Sequence, residues 1–102
     1  MDNTKFNSFK EFYPFYLSEH SKRSTKILHM IGSILVIYIL LYSINNQDWS
    51  KLYYLPVTGY GFAWTGHFFF EKNKPATFKY PLYSFIGDWV MLKDIIIRKV
   101  KL

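Results

Sequence analysis

Two long stretches without a charged residue constrain the fold of this chain more than any other feature. The first runs from residue 27 to 44 (ILHMIGSILVIYILLYSI) and the second from residue 52 to 70 (LYYLPVTGYGFAWTGHFFF). Each is close to the roughly 20 residues that a helix needs to cross a bilayer. A chain of 102 residues has little else with which to cover two wholly apolar helices. The sequence therefore predicts a helical hairpin across a membrane, with a small soluble bundle of buried helices as the alternative.

The basic residues predict the orientation of this hairpin. Lysine and arginine flank the outer ends of both stretches, at Lys22, Arg23, Lys26, Lys72, Lys74 and Lys79. The connecting loop carries only Lys51, which Asp48 offsets. Because cytoplasmic segments are enriched in Lys and Arg, both termini are expected in the cytoplasm. We thus expect an integral membrane protein, in the inner membrane if bacterial and in the endoplasmic reticulum if eukaryotic.

The net charge of +6 would also suit nucleic acid, but the other signals for that partner are missing. The sequence has no RNA-binding aromatic motif, no zinc-finger spacing and no helix-turn-helix pattern. We therefore expect no nucleic-acid partner. Because the chain has no cysteine, disulfides, thiolate metal sites and cysteine nucleophiles are excluded as well.

Two further segments have the pattern of amphipathic helices. Aromatic residues recur at helical spacing over about residues 5–18, which Pro14 interrupts or kinks. The segment of about residues 81–98 opens with proline, a favoured first helical residue, and carries charges within its apolar run. We expect the first helix to lie in the membrane interface and the second to be interfacial or partly inserted, with a third span as the alternative. The predicted fold is all-α: one domain over residues 1–102, formed by a two-span antiparallel hairpin with amphipathic N- and C-terminal helices.

The three histidines of the chain fall in one layer of this topology. His29 lies near the cytoplasmic start of the first span, and His67 lies near the cytoplasmic end of the second. His20 lies just outside the first span, and a bend in the polar segment between residues 20 and 29 would let it join them. Polar groups at membrane depth are costly, which makes a functional site the default hypothesis.

Two carboxylates are candidates to complete this site. Glu71 follows His67 by four residues, which puts it on the same helix face, and Asp88 could approach from the last segment. Three imidazoles with a carboxylate suit Fe(II), Zn(II) or Mn(II). The spacing matches neither HExxH nor the usual iron facial triad. The alternative is that each histidine is an interfacial polar residue without a metal.

Two segments of the chain resemble a known membrane family. FYPFYLSEHSKRSTKILHMIG and GYGFAWTGHFFFEKNKPATFKYPLYSFIGDW are similar to the Mpo-type proteins, the family of the yeast 2-hydroxy fatty acid dioxygenase. The shared features are FYxFY, a histidine shortly after it, a histidine at the start of the first span, and GHxxFEKxxPA. The last of these is the most specific, and together they cover most of the chain.

The resemblance implies an Fe(II)- and O2-dependent oxidoreductase of fatty-acid α-oxidation. A 2-hydroxy fatty acid would lose its carboxyl carbon as CO2 and leave a fatty acid shorter by one carbon. Carried over to this chain, His20, His29 and His67 would be the iron-binding and catalytic residues. Glu71 and Lys72 also match motif positions. The acyl chain would lie between the spans, with Lys72 and Arg23 placed to attract its carboxylate, although their ordinary interpretation is membrane topology.

One departure from the family bears on the substrate. The chain is shorter than the yeast-type members, which carry extra hydrophobic sequence between the second histidine and the GH motif. The acyl cavity is therefore expected to be smaller or to be formed by a homo-oligomer such as a dimer. The main rival function is a non-catalytic membrane protein that organises lipid or a partner, and a Zn-dependent membrane hydrolase is a third hypothesis.

Overall fold

The computed structural model describes residues 6–102, and all of its regular structure is helical. The main elements are α1 (Phe9–Ser18), α2 (Arg23–Asn45), α3 (Tyr54–Thr65) and α4 (Pro81–Ile96). No strand occurs in these residues, so the predicted all-α class is confirmed. The first residue of the predicted N-terminal helix, about residue 5, lies outside the described part of the chain.

The predicted second span is divided among three kinds of helix. A 3₁₀ helix (Trp49–Tyr53) leads into α3, and a π-helical turn (Gly66–Glu71) follows it. The turn ends at Lys72, whose left-handed backbone (φ 62°) cannot continue a helix. In residues 6–102, one helix, α2, is long and apolar enough to cross a membrane, which leaves the two-span hairpin unconfirmed.

Helices α2 and α3 pack antiparallel, and glycines permit their closest contacts. A Cβ built on Gly32 would lie 2.8 Å from the Cβ of Phe62, and one on Gly66 would lie 3.0 Å from Cγ2 of Thr25. The later residue Gly66 contacts Thr25, whereas the earlier residue Phe62 contacts Gly32. The two segments therefore run in opposite directions. This packing brings the segments that contain His29 and His67 to the same end of the molecule.

The buried core lies at that end, between α1 and α4. Phe12 and Met91 are fully buried there, and Tyr16 is 1% exposed. The aromatic side of α1, which the sequence pattern assigned to a membrane interface, is covered by α4. Helix α1 continues through Pro14, which cannot donate a backbone hydrogen bond.

Away from this core, α2 is poorly covered. Only 22% of its most apolar 18-residue stretch is buried. Nine large apolar side chains of α2 are exposed: Ile31, Ile34, Leu35, Ile37, Tyr38, Leu40, Leu41, Tyr42 and Ile44. The core helix of a soluble bundle is usually mostly buried, so α2 is exposed to a greater extent than such a helix.

Candidate functional site

The structure brings all three histidines together in the buried layer between α1, the start of α2 and the π-helical turn. The relative exposures of His20, His29 and His67 are 1%, 5% and 3%. The ring centroid of His20 lies 4.4 Å from that of His67 and 5.3 Å from that of His29. Each histidine belongs to a different segment, so only tertiary packing assembles the cluster.

The hydrogen bonds of His20 and His67 determine which ring nitrogen of each carries the proton. Nδ1 of His20 lies 2.7 Å from the carbonyl oxygen of Tyr16, which can only accept, so Nδ1 donates. Nδ1 of His67 lies 2.8 Å from Oδ1 of Asn73. The Asn73 amide nitrogen donates to the carbonyl of Glu19 (3.3 Å), which fixes the amide orientation and makes His67 Nδ1 a donor as well.

The two remaining nitrogens, Nε2 of His20 and Nε2 of His67, face each other at 3.0 Å. Burial lowers the pKa of His20 well below its usual value, and the neighbouring His29 and His67 lower it further, so the ring is neutral. In the neutral forms both Nε2 atoms bear lone pairs, which repel each other unless a cation or a shared proton lies between them. In both rings Nδ1 donates to an oxygen and Nε2 is left free, which is the orientation that metal-binding histidines usually have.

His29 is oriented differently, by a carboxylate and a phenol. Its Nε2 lies 3.1 Å from Oδ1 of Asp88 and 3.3 Å from the hydroxyl of Tyr16. The Tyr16 hydroxyl donates to the same Asp88 oxygen at 2.6 Å. Burial raises the pKa of Tyr16 well above its usual value, and the Asp88 charge raises it further, so Tyr16 remains a donor. Nδ1 of His29 is buried and has no hydrogen-bond partner among residues 6–102.

The site therefore consists of two pairs, His20 with His67 and His29 with Asp88. Within the described residues, no group of three or more His, Cys, Asp or Glu side chains is arranged to hold a metal ion. The reason is visible in the geometry, since His29 turns Nε2 toward Asp88 rather than toward the other two imidazoles.

Of the two candidate carboxylates, the structure places Asp88 at the histidines and uses Glu71 elsewhere. Glu71 accepts hydrogen bonds from the hydroxyl of Ser21 (2.8 Å) and the backbone N–H of Lys22 (2.6 Å). It thereby ties the π-helical turn to the start of α2. Burial alone would raise the pKa of Glu71, but these hydrogen bonds outweigh it, and the net shift is downward.

The two basic residues predicted to bind substrate lie outside the histidine layer. Arg23 and Lys72 are both exposed. Neither lines the two cavities that border the histidines. Any effect of these side chains on a carboxylate would thus be a long-range attraction.

An apolar cavity of about 350 Å³ begins at His29 and Asp88 and extends between α2, α3 and α4. One face of α2 lines it at helical spacing, through His29, Ser33, Val36 and Leu40. At 1.5 Å per residue, this stripe is about 16 Å long. The remaining lining residues are Leu55, Pro56, Gly59, Tyr60, Phe85 and Trp89. All of these lining residues belong to one chain.

Sequence reasoning missed Tyr16 and Asn73, the residues that orient the imidazoles. Tyr16 carried a signal, because it precedes His20 by four residues and therefore lies on the same side of the chain. Asn73 carried no such signal, since it lies between two lysines in a loop, where asparagine is a common residue.

Comparison with known proteins connects this site to one family. Residues 6–100 match the family described as 2-hydroxy-palmitic acid dioxygenase Mpo1-like. No curated protein and no solved structure matches the chain. The name of the family indicates a dioxygenase that acts on a 2-hydroxy fatty acid. Because the match covers nearly the whole sequence, the chain belongs to the Mpo1-like family.

Proposed function

We propose that this protein is an Fe(II)-dependent membrane dioxygenase that performs α-oxidation of 2-hydroxy fatty acids. The hydroxy acid and O2 would give the fatty acid shorter by one carbon, CO2 and water. The bond between the carboxyl carbon and C2 breaks, C2 is oxidised to the new carboxyl group, and O2 is reduced, so no further reductant is required. The observation that carries the proposal is an apolar cavity lined by His29 and Asp88, beside which the other two buried histidines lie.

Membrane insertion accounts for the exposed apolar surface. Besides α2, the helical run from α3 to the π-helical turn exposes Val57, Phe68 and Phe69 by 71%, 46% and 70%. We propose that both segments cross the bilayer as an antiparallel hairpin, with both termini in the cytoplasm. The histidine layer would then lie where lipid head groups meet hydrocarbon, and the cavity would run toward the bilayer centre.

The cavity has the shape and polarity for an acyl chain. Its walls are mostly aliphatic and aromatic side chains, and the imidazole of His29 and the carboxylate of Asp88 line the side next to the other histidines. A fatty acid bound there would bury its hydrocarbon tail along α2 and bring its hydroxy acid head to the histidines. Arg23 and Lys72 would raise the local concentration of the carboxylate through their positive charge.

We assign His20, His29 and His67 to iron binding, with Asp88 as the carboxylate of the site. Bound Fe(II) would supply the activation of O2 and a Lewis acid for the hydroxy acid. The protein's own contribution is to position the donors. The Tyr16 carbonyl and Asn73 hold the rings of His20 and His67 with Nε2 turned inward, while Asp88 holds His29. The surrounding apolar residues exclude water from the bound head.

Iron content and product analysis test this function. We expect detergent-purified protein loaded anaerobically with Fe(II) to hold about one iron per chain, and His67→Ala to lose most of it. Ser50→Ala, in the 3₁₀ helix beyond the other end of α2, is the matched control and should keep the wild-type content. With O2 and 2-hydroxypalmitic acid, mass spectrometry should detect the fatty acid with one carbon fewer. Absence of bound iron after anaerobic loading, or no shortened product from iron-loaded protein, would refute the proposal.

A further inference from the structure

A second, much smaller cavity lies beside the acyl cavity and contains polar groups that the proposed iron site does not use. Its volume is about 10 Å³, close to that of one water-sized sphere. All three histidines line it, together with Trp64 of α3 and Ser84 of α4. His29, Tyr60 and Asp88 line both cavities, so the two are adjacent.

Trp64 and Ser84, which both line this small cavity, each carry an unpaired buried polar atom. Ser84 is 2% exposed, and its hydroxyl has no hydrogen-bond partner among residues 6–102. The indole Nε1 of Trp64 is buried and equally without a partner in the described part of the chain. Buried polar groups are nearly always hydrogen-bonded, so two unpaired ones in the same small cavity require an explanation.

The chemistry of the two groups limits what could pair with them. An indole N–H can only donate, and a serine hydroxyl can donate as well as accept. The partner that satisfies both is therefore an acceptor such as an oxygen atom. A cavity of this size holds about one such atom beyond the side chains that line it.

We propose that Trp64 and Ser84 form an oxygen-binding subsite that donates hydrogen bonds to the head group of the bound 2-hydroxy acid. This inference rests on the proposed function, because it takes the tail of that acid to occupy the adjacent apolar cavity. The head would pass between Tyr60 and the His29–Asp88 pair to reach the donors. Trp64 and Ser84 are thus positioning residues, which orient the carbon that carries the hydroxyl group relative to the histidines.

Conservative substitutions separate this role from a structural one. Ser84→Ala removes the hydroxyl and keeps Cβ. Trp64→Phe removes the indole N–H and keeps an aromatic ring beside Phe78, whose ring centroid lies 5.1 Å from that of Trp64. Because the Ser84 hydroxyl is unpaired within the described protein, Ser84→Ala should not lower the melting temperature of the unliganded protein. Trp64→Phe also removes buried ring atoms and should lower it. If the Ser84 hydroxyl had a merely structural role, Ser84→Ala would lower the melting temperature.

The measurement is the affinity for 2-hydroxypalmitic acid by calorimetric titration of the iron-loaded protein in detergent without O2. We expect about tenfold weaker binding for each variant. Ser43→Ala is the matched control, since the Ser43 hydroxyl is also buried but donates to the carbonyl of Ile39 (2.7 Å) within α2. Its affinity should equal that of the wild type.

The outcomes distinguish this inference from the proposed function. If the wild type binds the acid and forms the shortened product while both variants bind it as tightly, the oxygen-binding subsite is refuted and the proposed function stands. If the wild type does not bind the acid, both are refuted. Weaker binding by Ser84→Ala and Trp64→Phe, with an unchanged melting temperature for Ser84→Ala, supports the subsite.

Discussion

The cavity geometry predicts that Gly59→Leu shortens the acyl chain that the protein accepts. A Cβ on Gly59 would lie 3.4 Å from Cγ2 of Val36, an ordinary contact, so a longer side chain must extend into the cavity that both residues line. Val36 follows His29 by seven residues, which corresponds to about 10 Å along α2. The new side chain would therefore obstruct the deep part of the cavity and leave the histidine end open.

The size of the effect follows from the hydrocarbon that is displaced. Leucine adds four carbons, and each methylene transferred out of water contributes about 0.8 kcal/mol. If four methylenes of a long acyl chain lose their place, binding weakens by about 3 kcal/mol, or about 200-fold. An acyl chain short enough to end before Val36 should bind with unchanged affinity.

The assay is a series of 2-hydroxy fatty acids of increasing length, with affinity measured for each by calorimetric titration. Gly61→Leu is the matched control, because a Cβ at Gly61 meets no atom within 4 Å and Gly61 does not line the cavity. We expect Gly59→Leu to lose affinity for long chains only, and Gly61→Leu to follow the wild type at every length. The same length profile for both variants would refute the acyl assignment of this cavity.

Three further predictions concern stability. Gly32→Ala should lower the free energy of unfolding by about 1–3 kcal/mol, because its Cβ would lie 2.8 Å from that of Phe62; an unchanged urea midpoint would contradict this close packing. Tyr16→Phe should cost about 1–3 kcal/mol by removing a donor from the partly buried carboxylate of Asp88, measured by thermal denaturation. Folding lowers the pKa of Glu71 below its ordinary value of 4.5. The ionised Glu71 side chain therefore stabilises the folded protein fully above pH 4.5, and this stabilisation is lost as the pH falls through the lower pKa of the folded state. Glu71→Gln should remove this part of the acid sensitivity. If the free energy of unfolding fell equally for variant and wild type below pH 4.5, the stabilising hydrogen bonds of Glu71 to Ser21 and Lys22 would be contradicted.

The grouping of the histidines follows from local sequence pattern and topology, but the identity of the carboxylate beside them does not. An antiparallel arrangement of the two apolar stretches predicts that His29 and His67 lie at a similar depth, and the structure places them in one buried cluster. The choice between Glu71 and Asp88 could not be made from spacing. Glu71 has the favourable i, i+4 relation to His67, but the exposed N–H of Lys22 at the start of α2 is a competing partner for its carboxylate.

The sequence by itself determined the all-α class, the segregation of apolar from basic segments and the family, because these depend on residue types along the chain. Only the tertiary structure decided which side chains meet. The contact between Tyr16 and Asp88 joins residues separated by 72 positions, and that between His20 and His67 joins residues separated by 47. The first depends on how α1 packs on α4, and the second on how the end of α1 lies against the π-helical turn. Such long-range packing also turned the aromatic side of α1 inward, since burying Phe12 and Tyr16 against α4 removes apolar surface from water.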